Sequence, residues 1–225
     1  MEENKEVGTN KKILKQRSRD LKIIIVGDSG TGKTSFVNQY ILNKFEEVYQ
    51  ATIATQFSSK ILEIDNVIYR LQFWDIAGQD RSPETTKIFC KDSNGIVICC
   101  EVNDKKTREN TKKWKHSLEQ NINLENIPVI IIENKCDLLG DKEEDYNKDI
   151  DDLKKFCEEN KINNCFRTSA MKRYGVEESM NYLIKEILKA SSFNEVYEEE
   201  ESIRETITLN EKPHYSVRGN KSKCC

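Results

Sequence analysis

The sequence predicts an α/β fold, a mostly parallel sheet between helical layers, built around a phosphate-binding loop. Three observations predict it. Short apolar runs alternate with amphipathic segments between about residues 21 and 190, the pattern of strands joined by right-handed helical crossovers. Two of those runs, 95–102 and 128–134, are apolar almost throughout, as expected of strands covered on both faces. Residues 27–34 fit G-x-x-x-x-G-K-[ST] between an apolar run and a helical pattern, which is where such a loop has to lie.

Each element follows in order. Residues 1–20 are polar and aperiodic and read as a flexible arm. Residues 21–26 form a short buried strand ending at Gly27, and a helix runs from Lys33 to about Leu42. Residues 57–64 and 67–75 are strands joined by Asp65-Asn66, a two-residue turn suited to a hairpin, so the sheet has one antiparallel edge. The runs 95–102 and 128–134 are central strands, and 165–168 is a last short one. Thr111, Trp114 and Leu118 mark one helix; Val176, Met180, Leu183, Ile184, Ile187 and Leu188 mark another. From Ser191 the pattern stops; an acidic cluster at 198–201 and a polar run to Cys225 read as a disordered tail. The organisation expected is an arm (1–20), a folded domain (21–190) and a tail (191–225). In such sheets ligands bind at the carboxyl ends of the strands, so functional residues are expected just after them.

Composition narrows the function. Apolar residues make up 36% and charged residues 33%, with a formal net charge of −3. No basic bias points to nucleic acid. No run of apolar residues is long enough to span a bilayer, and the polar start lacks the apolar core of a secretion signal. Of eight cysteines, Cys90, Cys99, Cys100, Cys136, Cys157 and Cys165 read as reduced thiols, because no metal-type pair is present and nothing indicates an oxidising compartment.

The chemistry sits in three sets of residues. Gly27, Asp28, Ser29, Gly30, Thr31, Gly32, Lys33 and Thr34 form the phosphate loop. Triphosphate oxygens need many donors at short range, and glycines let backbone N–H groups turn inward while the helix start adds partial positive charge. Lys33 neutralises the outer phosphates and the Thr34 hydroxyl binds Mg²⁺. Asn134, Lys135 and Asp137 follow the fifth strand. A carboxylate accepts from both N1–H and the 2-amino group of guanine, whereas adenine has no such donor pair. Asn134 bridges the base and the neighbouring loops, and the Lys135 stem lies along the ring. Ser169 and Ala170 offer backbone N–H groups to the guanine O6. The third set senses the γ-phosphate. Asp75 holds Mg²⁺ through water, Gly78 presents its N–H to the phosphate, Gln79 orients the attacking water, and Thr52 reaches both metal and phosphate.

Together these residues resemble the small GTPases of the Ras superfamily and, within it, the Rab family. The stretches 27–35, 49–57, 74–81, 134–138 and 168–170 carry the likeness, which covers about residues 21–189. Ile76, Trp114-Lys115, Phe156–Asn160 and Cys224-Cys225 narrow it to the Rab subgroup of lysosome-related organelles. The resemblance implies six strands and five helices, with Ser35 among the nucleotide contacts and Phe45 against the guanine. Phe57, Trp74 and Phe89 occupy its aromatic triad for effectors, although sheet-edge packing accounts for them equally. It implies GTP/GDP cycling with Mg²⁺, and service to vesicle trafficking on the cytoplasmic face of endosomal or lysosome-related membranes. The partners implied are exchange factors, GTPase-activating proteins, escort and dissociation-inhibitor proteins, and effectors of the GTP form. Ala54, Gln56, Asp80, Ser82-Pro83 and Met171 depart from the family pattern and alter surfaces that such partners read.

Cys224 and Cys225 end the tail and match the Rab double-cysteine terminus that carries two geranylgeranyl groups. Two lipid chains make a stable anchor where one does not. Lys221 and Lys223 add attraction to anionic lipid. Two other classes compete: a GTP-binding scaffold that barely hydrolyses, and a P-loop kinase or ATPase. Gln79 speaks against the first, and the Asn134–Asp137 motif against the second.

Overall fold

The computed structural model describes residues 18–48, 52, 55–78 and 83–191. Strand β1 (Ser18–Gly27) enters the helix α1 (Lys33–Leu42) through the glycine-rich loop. The hairpin of β2 (Gln56–Ile64) and β3 (Val67–Asp75) follows, then α2 (Pro83–Cys90), β4 (Gly95–Glu101) and α3 (Lys105–Asn121). Next come β5 (Val129–Asn134), a 3₁₀ turn (Cys136–Leu139), the one-turn α4 (Glu143–Tyr146), α5 (Ile150–Glu159) and β6 (Asn164–Arg167). A last helix, α6, covers 176–191. The chain divides into residues 1–187 and 188–225, and 188–191 are the described part of the second unit, continuing as helix.

The six strands lie in the order β2-β3-β1-β4-β5-β6. All neighbours are parallel except β2 and β3. Asp65 and Asn66 close that hairpin at φ 51° and 63°, the left-handed pair that a two-residue turn of this kind requires. β1 begins at Ser18, not at Leu21 as hydropathy suggested. Ser18, Arg19 and Asp20 pair with Ile68, Tyr69 and Arg70 of β3. Backbone hydrogen bonds extend the strand past the point where buried side chains announce it.

Both faces of the sheet are covered. On one, Ile24, Val26, Ile96, Ile98 and Ile131 pack with Trp114 and Leu118 of α3 and with Leu153 and Phe156 of α5. On the other, Tyr40 of α1 meets Phe73 edge-on, with ring centroids 5.7 Å apart. Every residue of β5 is buried. One of them is charged, Glu133. α3 starts cleanly because the Asp104 side chain accepts from the N–H groups of Lys106 (3.0 Å) and Thr107 (3.4 Å). α1 has no side-chain cap, so its first N–H groups face the cavity described next. Among the described residues the six cysteines are free and buried. Burial pushes the Cys90 and Cys136 thiols up to about 12 and Cys99 to about 11, so these three stay protonated and inert.

Candidate nucleotide-binding site

A cavity of about 400 Å³ opens at the carboxyl ends of the strands. Of the residues singled out in the sequence, it is lined by Ser29, Gly30, Gly32, Lys33, Thr34, Ser35, Phe45, Thr52, Gly78, Asn134, Lys135, Asp137 and Ala170. Gly27, Asp28, Thr31, Asp75 and Ser169 stand behind this wall and hold it. Gln79 and the terminal Cys224 and Cys225 lie outside the described residues, as do Tyr49–Ala51, Ile53, Ala54, Asp80 and Ser82. Asn38, Glu46, Glu47, Val48 and Leu138 also line the cavity. Leu138 ends the stretch 134–138; the other four belong to no motif, and only the fold brings them there.

The loop after β1 curls so that Lys33 folds back over it. Its ammonium donates to the carbonyl oxygens of Gly27 (3.0 Å) and Asp28 (2.9 Å) and is almost wholly buried. Gly32 has φ 87°, and a Cβ there would stand 2.4 Å from Asn134 Nδ2, so conformation and space both demand glycine. α3 buttresses the loop from below. The Asp28 carboxylate accepts from Asn110 Nδ2 (2.6 Å) and Trp114 Nε1 (2.9 Å). These two anchors were not visible in the sequence, because helix and loop meet only in the fold.

Thr34, Thr52 and Asp75 converge beside the loop. The Thr34 hydroxyl donates to Asp75 Oδ2 and lies 2.9 Å from the Thr52 hydroxyl. Asp75 is 2% exposed, and its Oδ1 has no hydrogen-bond partner among the described residues. Burial holds its carboxyl above the usual carboxylate range, with Thr34 and the Lys33 charge opposing. An orphaned buried carboxylate oxygen beside two hydroxyls is a hard-oxygen donor set and suits Mg²⁺. Gly78 presses on the same place: a Cβ there would fall 2.3 Å from Ser29 N. The segment after β3 thus reaches the phosphate loop only because residue 78 has no side chain.

At the far end Asn134 joins three loops. Its Nδ2 donates to the carbonyl oxygens of Thr31 (3.0 Å) and Gly32 (3.4 Å), and its Oδ1 accepts from Thr168 Oγ1 (3.2 Å) and Ala170 N–H (3.3 Å). The Ser169 hydroxyl donates to Asp137 Oδ1 and accepts from the Lys172 N–H at 2.9 Å, which fixes the carboxylate. Lys135, left-handed at φ 63°, pairs with Glu101 at 2.8 Å. Exposed Leu138 and Met171 flank this end of the cavity. Outside the cavity, Phe57 meets Trp74 edge-on at 5.3 Å and Trp74 lies 5.9 Å from Phe89. Phe57 is 55% exposed while Trp74 and Phe89 pack partly into the core, so this triad belongs to sheet edge and surface at once.

A model of the Ras family matches residues 22–189. The chain is 38% identical over 170 residues to "Ras-related protein Rab-32C" of Dictyostelium discoideum, covering 76% of this chain and 74% of that protein. It is 32% identical over 214 residues to "Ras-related protein Rab-32" of Homo sapiens (93% and 91% covered). "Ras-related protein Rab-7L1" of Homo sapiens is 30% identical over 214 residues (92% and 99%).

Proposed function

We propose that this chain, which belongs to the Ras family and to its Rab members, uses the cavity at the strand ends as its GTP/GDP site. Family membership makes it a small GTPase, a GTP hydrolase that works as a switch in vesicle trafficking. The finer reading rests above all on Asn134, whose side chain ties the phosphate loop to both base-side loops. A ligand with phosphates at one end and a purine at the other spans that junction.

In this reading the phosphates lie against the loop from Gly27 to Thr34 and the start of α1. Lys33 neutralises them. Thr34 and Thr52 would hold Mg²⁺ directly and Asp75 through water; once bound, the metal would supply neutralising charge to the phosphate oxygens. Asp137, fixed by Ser169, accepts from the guanine edge. Ala170 meets the O6, Lys135 and Phe45 pack on the base, and Ser35 closes the phosphate end. Gly78 carries its segment to the γ-phosphate, and Gln79 beside it orients the water that attacks. Loss of that phosphate frees Thr52 and Gly78, which converts hydrolysis into a change of surface.

The surface that changes includes the Phe57–Trp74–Phe89 triad, the proposed contact for effectors of the GTP form. Exchange factors, GTPase-activating proteins, and escort and dissociation-inhibitor proteins are the partners that such a cycle needs. Among the described residues no helix is long and apolar enough to cross a membrane. Residence on the cytoplasmic face of endosomal or lysosome-related membranes, in exchange with cytosol, is assigned to two lipid groups on Cys224 and Cys225. Residues 18–191 carry the switch, and the chain after them is the proposed tether. Single-turnover GTP hydrolysis by the purified chain tests the reading. Slow release of one phosphate per bound nucleotide is expected; none above background contradicts it.

A further inference from the structure

Glu133 is the penultimate residue of β5, just before the base-side loop, with its side chain fully buried. Arg108 of α3 reaches it, with Nε and Nη2 both 2.5 Å from Glu133 Oε1. Arg167 of β6 approaches from the other side, with Nε 2.6 Å from Oε2, and its Nη1 donates to the Tyr146 carbonyl oxygen of α4 at 3.2 Å. Two arginines and one carboxylate thus join four elements.

The triad's position is more telling than its charge. Glu133 and Arg167 are cross-strand partners in the last rung of the β5–β6 ladder. β6 is only four residues long and is the edge of the sheet. Short edge strands fray from their ends. Here the end that would fray leads at once into Asn134 on one strand and Thr168 on the other. The bonds just past the rung depend on it: Thr168 N–H donates to the Glu133 carbonyl oxygen and Cys136 N–H to the Thr168 carbonyl oxygen, each at 3.0 Å. As a source of stability a buried ion triad is a poor choice, since apolar residues of similar volume serve as well or better. The best-attested use of a buried ion group is to set register, and these charges are paired in the register that the two strands hold here.

We propose that Arg108, Glu133 and Arg167 are positioning residues for guanine recognition, locking the last β5–β6 rung so that Asp137 and Ala170 stay at the spacing of one base edge. The proposal rests on the guanine-site reading above. Asn134, next to Glu133, carries the effect no further than the Thr31 and Gly32 carbonyl oxygens; the Thr34–Asp75 pair, on α1 and β3, stands apart from the triad.

The test compares release of GDP with release of inosine diphosphate, which lacks the 2-amino group that Asp137 would read. Wild type is measured first; equal release of the two there would defeat the guanine-site reading itself. Glu133→Gln keeps the shape of the side chain and removes its charge. In that variant, GDP release should quicken about tenfold, the order of one lost charged hydrogen bond, and the GDP-to-inosine preference should shrink. The acceleration of release by chelating Mg²⁺ should stay as in wild type. Arg108→Met, at the more exposed end of the triad, carries the same test should Glu133→Gln not fold. A triple Arg108→Met/Glu133→Leu/Arg167→Met variant supplies the control for packing. If it recovers thermal stability but not the base preference, positioning stands. A base preference equal to wild type in the folded variants, or its full return in the apolar triple variant, would overturn the proposal.

Discussion

Asn134 Nδ2 lies 3.0 Å from the Thr31 carbonyl oxygen, although the strands that carry these two residues are not neighbours: β4 stands between β1 and β5. The sheet ladder links the two strands only through β4, whereas this side chain joins the two loops directly. Asn134→Ala leaves the Thr31 and Gly32 carbonyl oxygens and the Ala170 N–H without this partner. It should weaken GDP and GTP alike, by about 1–3 kcal/mol. Equilibrium titration with both nucleotides measures this, and a loss confined to one of them would contradict the role.

Asp75 gives a prediction with two opposite signs. Burial raises its carboxyl pKa, so the folded chain holds that proton more tightly than the unfolded chain. Without nucleotide or metal, stability falls as pH rises from the ordinary carboxylate pKa through the raised one, and the cost is complete only above the raised value. Asp75→Asn removes it and should stabilise the nucleotide-free protein at pH above that raised value by roughly 1–3 kcal/mol, with no gain at pH below the ordinary carboxylate pKa. The same substitution should abolish the gain in GTP affinity on adding Mg²⁺. Thermal unfolding and titration with and without Mg²⁺ measure the two effects. A destabilised variant that keeps its metal response would refute the assignment.

Gln79→Leu should keep GTP bound and slow its hydrolysis, because leucine cannot orient water. Activating partners can accelerate such reactions about 10⁵-fold and some supply their own glutamine, so intrinsic single turnover is the clean assay. A variant rate equal to wild type would remove Gln79 from the mechanism.

Replacing Cys224 and Cys225 together by serine should leave nucleotide binding intact and move the protein to the soluble fraction. One replacement alone should give weaker, more reversible attachment, since each buried methylene contributes about 0.8 kcal/mol and a single chain is marginal. Fractionation and nucleotide binding on one preparation decide it. A double variant that stays on membranes would place the anchor elsewhere.

Much of this was legible in the sequence where one physical signal dominated. The hairpin was readable because Asp65-Asn66 tolerates left-handed backbone, and the central strands because β4 and β5 are buried almost end to end. Residues 27–34 and 134–137 were readable because their chemistry is local. What stayed hidden depends on register or on contacts between distant elements. Ser18–Asp20 are polar and extend β1 by pairing alone. In the sequence Glu133 is one polar letter in an apolar run. Its meaning needs the knowledge that Arg167 is its partner across the sheet and that Arg108 points in from α3. Asp28 was read as loop, yet Asn110 and Trp114 make it a foundation.

The central claim is that the cavity selects guanine through the Asp137 carboxylate, and competition binding tests it most directly. A bound fluorescent GDP is displaced in turn by GDP, ADP and xanthosine diphosphate, in wild type and in Asp137→Asn. Wild type should yield to GDP and not to ADP. The variant should lose its preference for GDP and accept the xanthine nucleotide, whose 2-oxo group can take a hydrogen bond from the new amide. Displacement by ADP as effective as by GDP, or an unchanged guanine preference in the variant, would contradict the account.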